Sequence, residues 1–424
     1  MSAATSPLAI LGGPKAVQSD PSDMFTWPII TEEDEQAVLE VLRIGGMSGT
    51  EVTVQFEQDL VEWHATKHAL CTNTGTAALL ASMWACGVGV GDEIIAPSLT
   101  YWASALPVFS LGGTVVFAEV CADTITIDPA DIERRITERT KAIVPVHYAG
   151  YPCDMDPIME IAQRHGLKVI EDVSHAQGGL YKGRLLGAIG HVGAMSIMSG
   201  KSLACGEGGF LITNDGELYE RAVAFGHYER TGQLEHPDLK PFAGLPWGGV
   251  KHRMHQLSSA VGRVQLRHYR ERVEAIQRSM NHFWDLLEGV PGIKAHRPGK
   301  DSGSTMGGWY AAHGLYRAEE IGGLDIHRFA EAVRAEGAPT NAGANFPLHL
   351  HPLLNEADIY GHGRPTRIAN SDRDLRQGPG SLPVTESIPS TCYSVPWFKH
   401  YRPDIIAEYA LAFRKAAEHA DELL

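Results

Sequence analysis

Between Val52 and Leu266, seven short apolar runs alternate with stretches of helical periodicity, and this alternation restricts the fold more than any other feature of the chain. The runs are HALCT, DEIIAPS, TVVFAEV, KAIVPVHY, LKVIEDV, VGAMSIM and GGFLITN. Between them lie TAALLASMWACG, YWASALPVFSLG, DPADIERRIT and DMDPIMEIAQRHG, each reading as a helix. Crossovers of that length join parallel neighbours, or nearly so, and lay helices on the faces of the sheet. An α/β fold with a large, mostly parallel sheet is therefore expected. Ligands of such sheets bind beyond the carboxyl ends of the strands, so a functional residue should follow a run.

The flanks divide the chain further. Residues 1–30, with Pro7, Gly12, Gly13, Pro14 and Pro28, read as an extended arm laid on the rest of the molecule or on a partner chain. TEEDEQAVLEVLR begins with a helix start signal, Thr31 followed by acidic residues. A long amphipathic helix from Gln256 to Leu287 leads out of the large domain, taken as 31–270, into a smaller C-terminal α/β domain, 271–424. Within the latter, GHGRPTRIANSDRDLRQGPGS is either a plain surface loop or a substrate-facing flap. His349 and His351 alternate on an expected strand, where substrate contacts or packing suit them better than a metal.

Charge and cysteines exclude several functions. A formal charge of −15 argues against nucleic acid or an anionic membrane as partner. The six cysteines form no CxxC pair, and the start MSAATSPLAILGG has neither the basic beginning nor the apolar core of a signal peptide. A cytoplasmic protein is expected.

Four strand ends then make sense together. SIMSGKSLACGEGG places Lys201 in a small-residue turn between two apolar runs; such a lysine either snorkels to water or forms a Schiff base with a carbonyl compound such as pyridoxal phosphate. In CTNTGTAALL, a turn opens a helix whose first amides, at Gly75 and Thr76, suit a phosphate, and Ser196 offers a hydroxyl to the same group. In APSLTYWASA, Tyr101 is placed to stack on a flat ring. LKVIEDVSHAQGG ends in adjacent carboxylates: Asp172 is placed to keep a pyridine nitrogen protonated, and Glu171 points to the other side of the sheet. A metal at Asp172 and His175 is the rival, without further local ligands.

These residues resemble the DegT/DnrJ/EryC1/StrS family, pyridoxal-phosphate-dependent sugar and cyclitol aminotransferases of aspartate aminotransferase fold type I. The resemblance runs from WPIITEED to LPVTESIPSTCYSVPWF and is strongest in NTGTAAL, PSLTYWAS, VPVHYAGYPCDMDPIMEIAQRHGLKVIEDVSHAQG and GKSLACGEGGFLITND. It implies that Lys201 is the Schiff-base lysine, Asp172 the partner of the pyridine nitrogen and His175 the residue near the ring hydroxyl. Gly75, Thr76 and Ser196 fall on the phosphate contacts and Tyr101 on the stacking aromatic. It also implies a homodimer with shared active sites, in which GGVKHRMHQLSSAVGRVQL reaches the neighbouring site. There Arg253 is retained, while Lys251 and His252 depart from the usual GYNYRM. Relatives with histidine for the lysine remove a hydroxyl, so Lys201 favours transamination. LAILGGPKAV followed by WP is similar to the branch that aminates keto-cyclitols, with glutamine as a frequent donor. The expected activity moves an amino group from glutamine or glutamate to a keto-sugar or keto-cyclitol, in secondary-metabolite or aminoglycoside-type biosynthesis. A dehydratase or aromatising synthase and a non-catalytic pyridoxal-phosphate-binding regulator are the alternatives.

Overall fold

The computed structural model describes residues 6–21 and 23–424, so Met1–Thr5 and Ser22 of the expected arm lie outside the described residues. The strands of the large layer are β1 (His68–Thr72), β2 (Glu93–Pro97), β3 (Thr114–Ala118), β4 (Thr140–Ile143), β5 (Lys168–Asp172), the short hairpin β6 (Leu180–Tyr181) and β7 (Arg184–Leu185), β8 (Val192–Ser196) and β9 (Gly209–Thr213). All but the hairpin join one seven-stranded sheet in the order β1-β9-β8-β5-β4-β2-β3. Only β9 runs against the rest, pairing antiparallel with both β1 and β8. The other neighbouring pairs are parallel.

The apolar runs become strands because both faces of this sheet are covered. Ile95, Ile143, Val169, Met195 and Ile212 pack into one core, while their neighbours Ile94, Ala142, Ile170, Ala194 and Leu211 pack into another on the opposite face. The period-two alternation thus separates two buried sides rather than core from solvent.

A second, antiparallel sheet of β10 (Ile293–Ala295), β11 (His313–Tyr316) and β12 (Cys392–Ser394) follows. The helices Tyr269–Leu286, Ile326–Ala335 and Pro403–Glu418 share a separate hydrophobic cluster with it, including Trp284, Phe329, Tyr393 and Phe413. The N-terminal arm lies on this part of its own chain. Buried Glu336 accepts the amides of Ala9 (2.7 Å) and Ala16 (2.9 Å) and pairs with buried Lys415 (2.9 Å), which also bonds the Pro14 carbonyl (3.0 Å).

Three local expectations are corrected. YWASALPVFSLG is two 3-10 segments, Trp102–Ser104 and Leu106–Leu111, separated at Ala105, with Pro107 withholding an amide from any continuous ladder. The long helix is two, Gln256–Arg267 and Tyr269–Leu286, divided at His268, whose ψ of −3° departs from the helical value. His349 lies in a 3-10 turn, Leu348–Leu350, rather than a strand, and His351 caps it. His349 is buried against Ser98 (2.7 Å) and Glu386 (3.1 Å), a packing role.

The glycine-rich stretch after Tyr360 covers one edge of the large sheet. It lies along the β3 edge of the sheet: Thr114 bonds the Arg367 carbonyl (2.7 Å), Gln377 the Phe117 carbonyl (3.0 Å) and Arg373 the buried Glu93 (2.8 Å). An edge covered in this way is a poor template for another strand. Among the described residues no helix is long and apolar enough to cross a membrane.

Candidate active site

The carboxyl ends of β1, β2, β5 and β8 converge on a cavity of about 420 Å³. Gly75, Thr76, Tyr101, Asp172, His175, Ser196 and Lys201 all line it. Arg253 does not: its backbone bridges Thr72 at the β1 edge, and its guanidinium lies 4.0 Å from Glu229.

At one end the helix Gly75–Ala85 begins. Thr74 caps it, its hydroxyl accepting the Ala77 amide at 3.0 Å, which leaves the amides of Gly75 and Thr76 as the first two, without intrahelical partners. Glycine is required at 75 because a Cβ there would sit 2.5 Å from the Ser196 Cβ and 2.7 Å from its Cα. The close approach brings the helix terminus against the end of β8 and makes a cradle for an anion.

On the floor, buried Asp172 is held from both sides. Its Oδ2 accepts Ser104 Oγ at 2.7 Å, and its Oδ1 accepts the Ser174 amide at 3.1 Å. Thr100 and Ser104 hydroxyls are 2.9 Å apart, so the turn after β2 orients the carboxylate. Glu171 does point the opposite way, into backbone amides of Gly187 and Ile189 (both 2.9 Å) and to buried His147 (3.2 Å). Adjacent acids in one strand thus divide into a structural anchor and a cavity-lining carboxylate.

His175 accepts the Ala149 amide at Nδ1 (3.3 Å), which assigns its proton to Nε2. Burial, then the nearby Lys201 and His313, push its pKa well below the usual imidazole value, so the ring is a neutral donor. Lys201, 8% exposed, has its pKa lowered to about 8 by burial, against a smaller opposing pull from Asp172. Its turn is tied internally, the Lys201 amide to the Met198 carbonyl at 2.8 Å and the Cys205 amide to Ile197 at 2.8 Å. From outside, Gln177 ties it through the Leu203 amide (2.8 Å) and the Ser196 carbonyl (2.7 Å).

Ser104, Ser174, Tyr310 and Asn345 also border the cavity and were not singled out by sequence. Ser104 had a signal, a hydroxyl inside an apolar stretch just after Tyr101. Tyr310 and Asn345 arrive from distant segments and had none.

This arrangement joins a buried amine of lowered pKa, an oriented carboxylate and an anion cradle at one cavity. The DegT/DnrJ/EryC1/StrS aminotransferase family model matches residues 28–409. The chain belongs to the DegT/DnrJ/EryC1/StrS family. Its enzymes are pyridoxal-phosphate-dependent aminotransferases, and this chain is one. It is 33% identical over 345 residues to the spore coat polysaccharide biosynthesis protein SpsC of Bacillus subtilis, covering 78% of this chain and 85% of that one. It is 32% identical over 392 residues to dTDP-3-amino-3,4,6-trideoxy-alpha-D-glucose transaminase of Streptomyces venezuelae, covering 92% and 93%. Among solved structures, the aminotransferase of Psychrobacter cryohalolentis superposes with a TM-score of 0.78 at 29% identity, covering 92% and 97%. The fold type I expectation therefore stands.

The residues present fit the DegT family's cofactor. The glycine-dependent cradle suits its phosphate, and the oriented Asp172 suits a ring cation. Among the described residues no group of three metal-ligating side chains competes for the site.

Proposed function

We propose that the chain moves an amino group from glutamine or glutamate to a keto-sugar or keto-cyclitol, with Lys201 as covalent anchor and proton carrier. The observation that carries this reading is the shared cavity of Lys201 and Asp172, closed at one end by the amides of Gly75 and Thr76. When bound, pyridoxal phosphate supplies an aldehyde for amine exchange and an electron sink.

The side chains divide the remaining work. Asp172, fixed by Ser104 and the Ser174 amide, would hold a proton on the pyridine nitrogen. His175, with its proton on Nε2, would donate to the ring hydroxyl, and Tyr101, which borders the same cavity, would supply a flat face to the ring. Gly75, Thr76 and Ser196 would hold the phosphate. A lysine whose pKa is about 8 is neutral in roughly a tenth of molecules at pH 7. Lys201 can thus take a proton from the donor's α-carbon and return it to the acceptor.

The named substrate of the Streptomyces relative and the polysaccharide role of the Bacillus relative support a sugar acceptor. LAILGGPKAV followed by WP supports a keto-cyclitol with glutamine as donor, in secondary metabolism. In this reading the chain is a cytoplasmic homodimer, with 31–270 as cofactor-binding domain and 271–424 as the smaller one. Arg253, outside its own cavity, is offered to the phosphate of the second subunit.

The test is a half-reaction. Holoenzyme mixed with glutamine or glutamate alone should lose its aldehyde-form absorbance and release the matching keto acid in stoichiometric amount, and a keto-sugar or keto-cyclitol should restore the spectrum. Water loss from a polyhydroxylated substrate, with no response to either donor, would replace transamination by dehydration.

A further inference from the structure

Lys201 has an aromatic partner from a distant segment of the chain. Its Nζ lies 3.8 Å from the centroid of the Tyr310 ring, cation–π distance for a buried ammonium. Tyr310 sits in a turn just before β11. The residues on either side, Trp309 (φ 54°) and Ala311 (φ 55°), are both held in the left-handed region, which side-chain-bearing residues rarely adopt. Such strain persists only where the surroundings impose it, and it concentrates at functional positions.

The surroundings do impose it. Trp309 is buried in the core of the second sheet. The Gly308 amide bonds the Gln177 carbonyl (3.0 Å), and the Trp397 indole bonds the Gly308 carbonyl (2.9 Å). A Cβ at Gly308 would lie 2.1 Å from the Ser202 Cβ, so the glycine lets the turn close onto the residue next to Lys201. The contacts then run back to the lysine. Tyr310 packs edge-on against Trp397 (5.8 Å), Trp397 against Trp27 of the arm (5.8 Å), and the Trp27 indole donates to the Lys201 carbonyl at 2.8 Å.

We propose that Tyr310 is a positioning residue for the lysine. Its ring face receives the Lys201 amine whenever that amine is not covalently engaged, and holds it inside the cavity. The ring's negative face attracts the ammonium without neutralising it, so the amine is retained but remains able to titrate. A carboxylate in the same place would raise the amine's proton affinity far more. The strained turn, the Gly308 contact and the Trp27 hydrogen bond together fix the ring and the lysine backbone relative to each other.

This inference rests on reading Lys201 as the Schiff-base residue. It is tested on the full-length chain freed of pyridoxal phosphate, in wild type, Tyr310→Phe and Tyr310→Leu. After mild reductive methylation with isotope-labelled formaldehyde, the Lys201 resonance, assigned by its absence in Lys201→Arg, is titrated with pH. The other titratable groups around the amine are left unsubstituted in every variant: Asp172 and His175 at the end of β5, Glu207 in the lysine's own turn, Tyr101 after β2, and His313 on β11; of these His175 also packs on the Tyr310 ring at 4.8 Å, a contact that Tyr310→Phe keeps. Tyr310→Leu should lower the Lys201 titration by about half a unit to one unit, while Tyr310→Phe, which keeps the ring face, should match wild type. An unchanged titration in Tyr310→Leu overturns the inference, as does Tyr310→Phe moving as far as Tyr310→Leu. Equal melting temperatures across the three exclude a folding effect. If borohydride fixes no cofactor on Lys201 of the wild-type holoenzyme, the reading of the site fails; if it does and Tyr310→Leu leaves the titration unmoved, only the role of Tyr310 fails.

Discussion

Ser104 Oγ donates a 2.7 Å hydrogen bond to Asp172 Oδ2, joining the turn after β2 to the end of β5 across the floor of the cavity. With the Ser174 amide on Oδ1, this fixes the carboxylate in one orientation before any ligand binds. Asp172→Asn should keep the shape and lose the charge that holds the pyridine proton, lowering kcat by about a hundredfold or more. Ser104→Ala should lower it by about tenfold, the loss of one orienting bond to a charged group. Steady-state rates with saturating donor distinguish the two, and equal effects would contradict a purely orienting role for Ser104.

Gly75→Ala forces a methyl group onto the Cα and Cβ of Ser196. Displacement of the helix terminus should cost about 1–3 kcal/mol of stability. It should also weaken pyridoxal phosphate at least tenfold while leaving the weak affinity for unphosphorylated pyridoxal unchanged. Titration with both compounds is the check.

Lys201 carries a pH signature in the cofactor-free chain. Its folded pKa, about 8, lies below its ordinary 10.5. Below pH 8 the amine is charged in both the folded and unfolded states, and burial of that charge opposes folding. From about pH 8 to 10.5 the unfolded chain binds more protons, so stability rises with pH. The gap corresponds to roughly 3 kcal/mol. Lys201→Met should therefore be more stable than wild type by up to that amount at pH 7, with the advantage shrinking toward pH 10.5. Denaturant melts at several pH values would show it.

Arg367 belongs to the segment covering the β3 edge and buries its side chain against that strand, stacked on Phe117 at 4.9 Å and bonded to the Val115 carbonyl at 3.3 Å. Arg367→Met should lower stability by about 2–3 kcal/mol and promote aggregation, because the edge is loosened. Neither Arg367 nor its immediate partners border the cavity, so kcat of the soluble fraction should not change.

Much of this architecture was legible in the sequence. A sheet buried on both faces leaves continuous apolar runs, and the polar residues that end those runs, Asp172 and Ser196 among them, stand out against them. The Gly75 turn was legible as a small-residue break between an apolar run and a helical stretch, whereas the approach to Ser196 that requires glycine there appears only in the fold. Ser104 was masked because YWASALPVFSLG has helical periodicity, whereas Pro107 and the turn at Ala105 break it into segments that aim the serine at Asp172. Tyr310 and the Glu336–Lys415 pair could not be read locally. Their partners lie 109 residues (310 − 201) and 79 residues away along the chain, and only packing of the second sheet and its helices brings them together. His349 and His351 alternate as a strand would, but Pro347 starts a turn that buries His349 against Ser98.

The most direct measurement is borohydride reduction of the purified holoenzyme followed by peptide mass spectrometry. A phosphopyridoxyl group on the peptide containing Lys201, absent from Lys201→Ala treated in the same way, is the expected result. The same group on any other lysine, or none on a coloured holoenzyme, would contradict the assignment of Lys201.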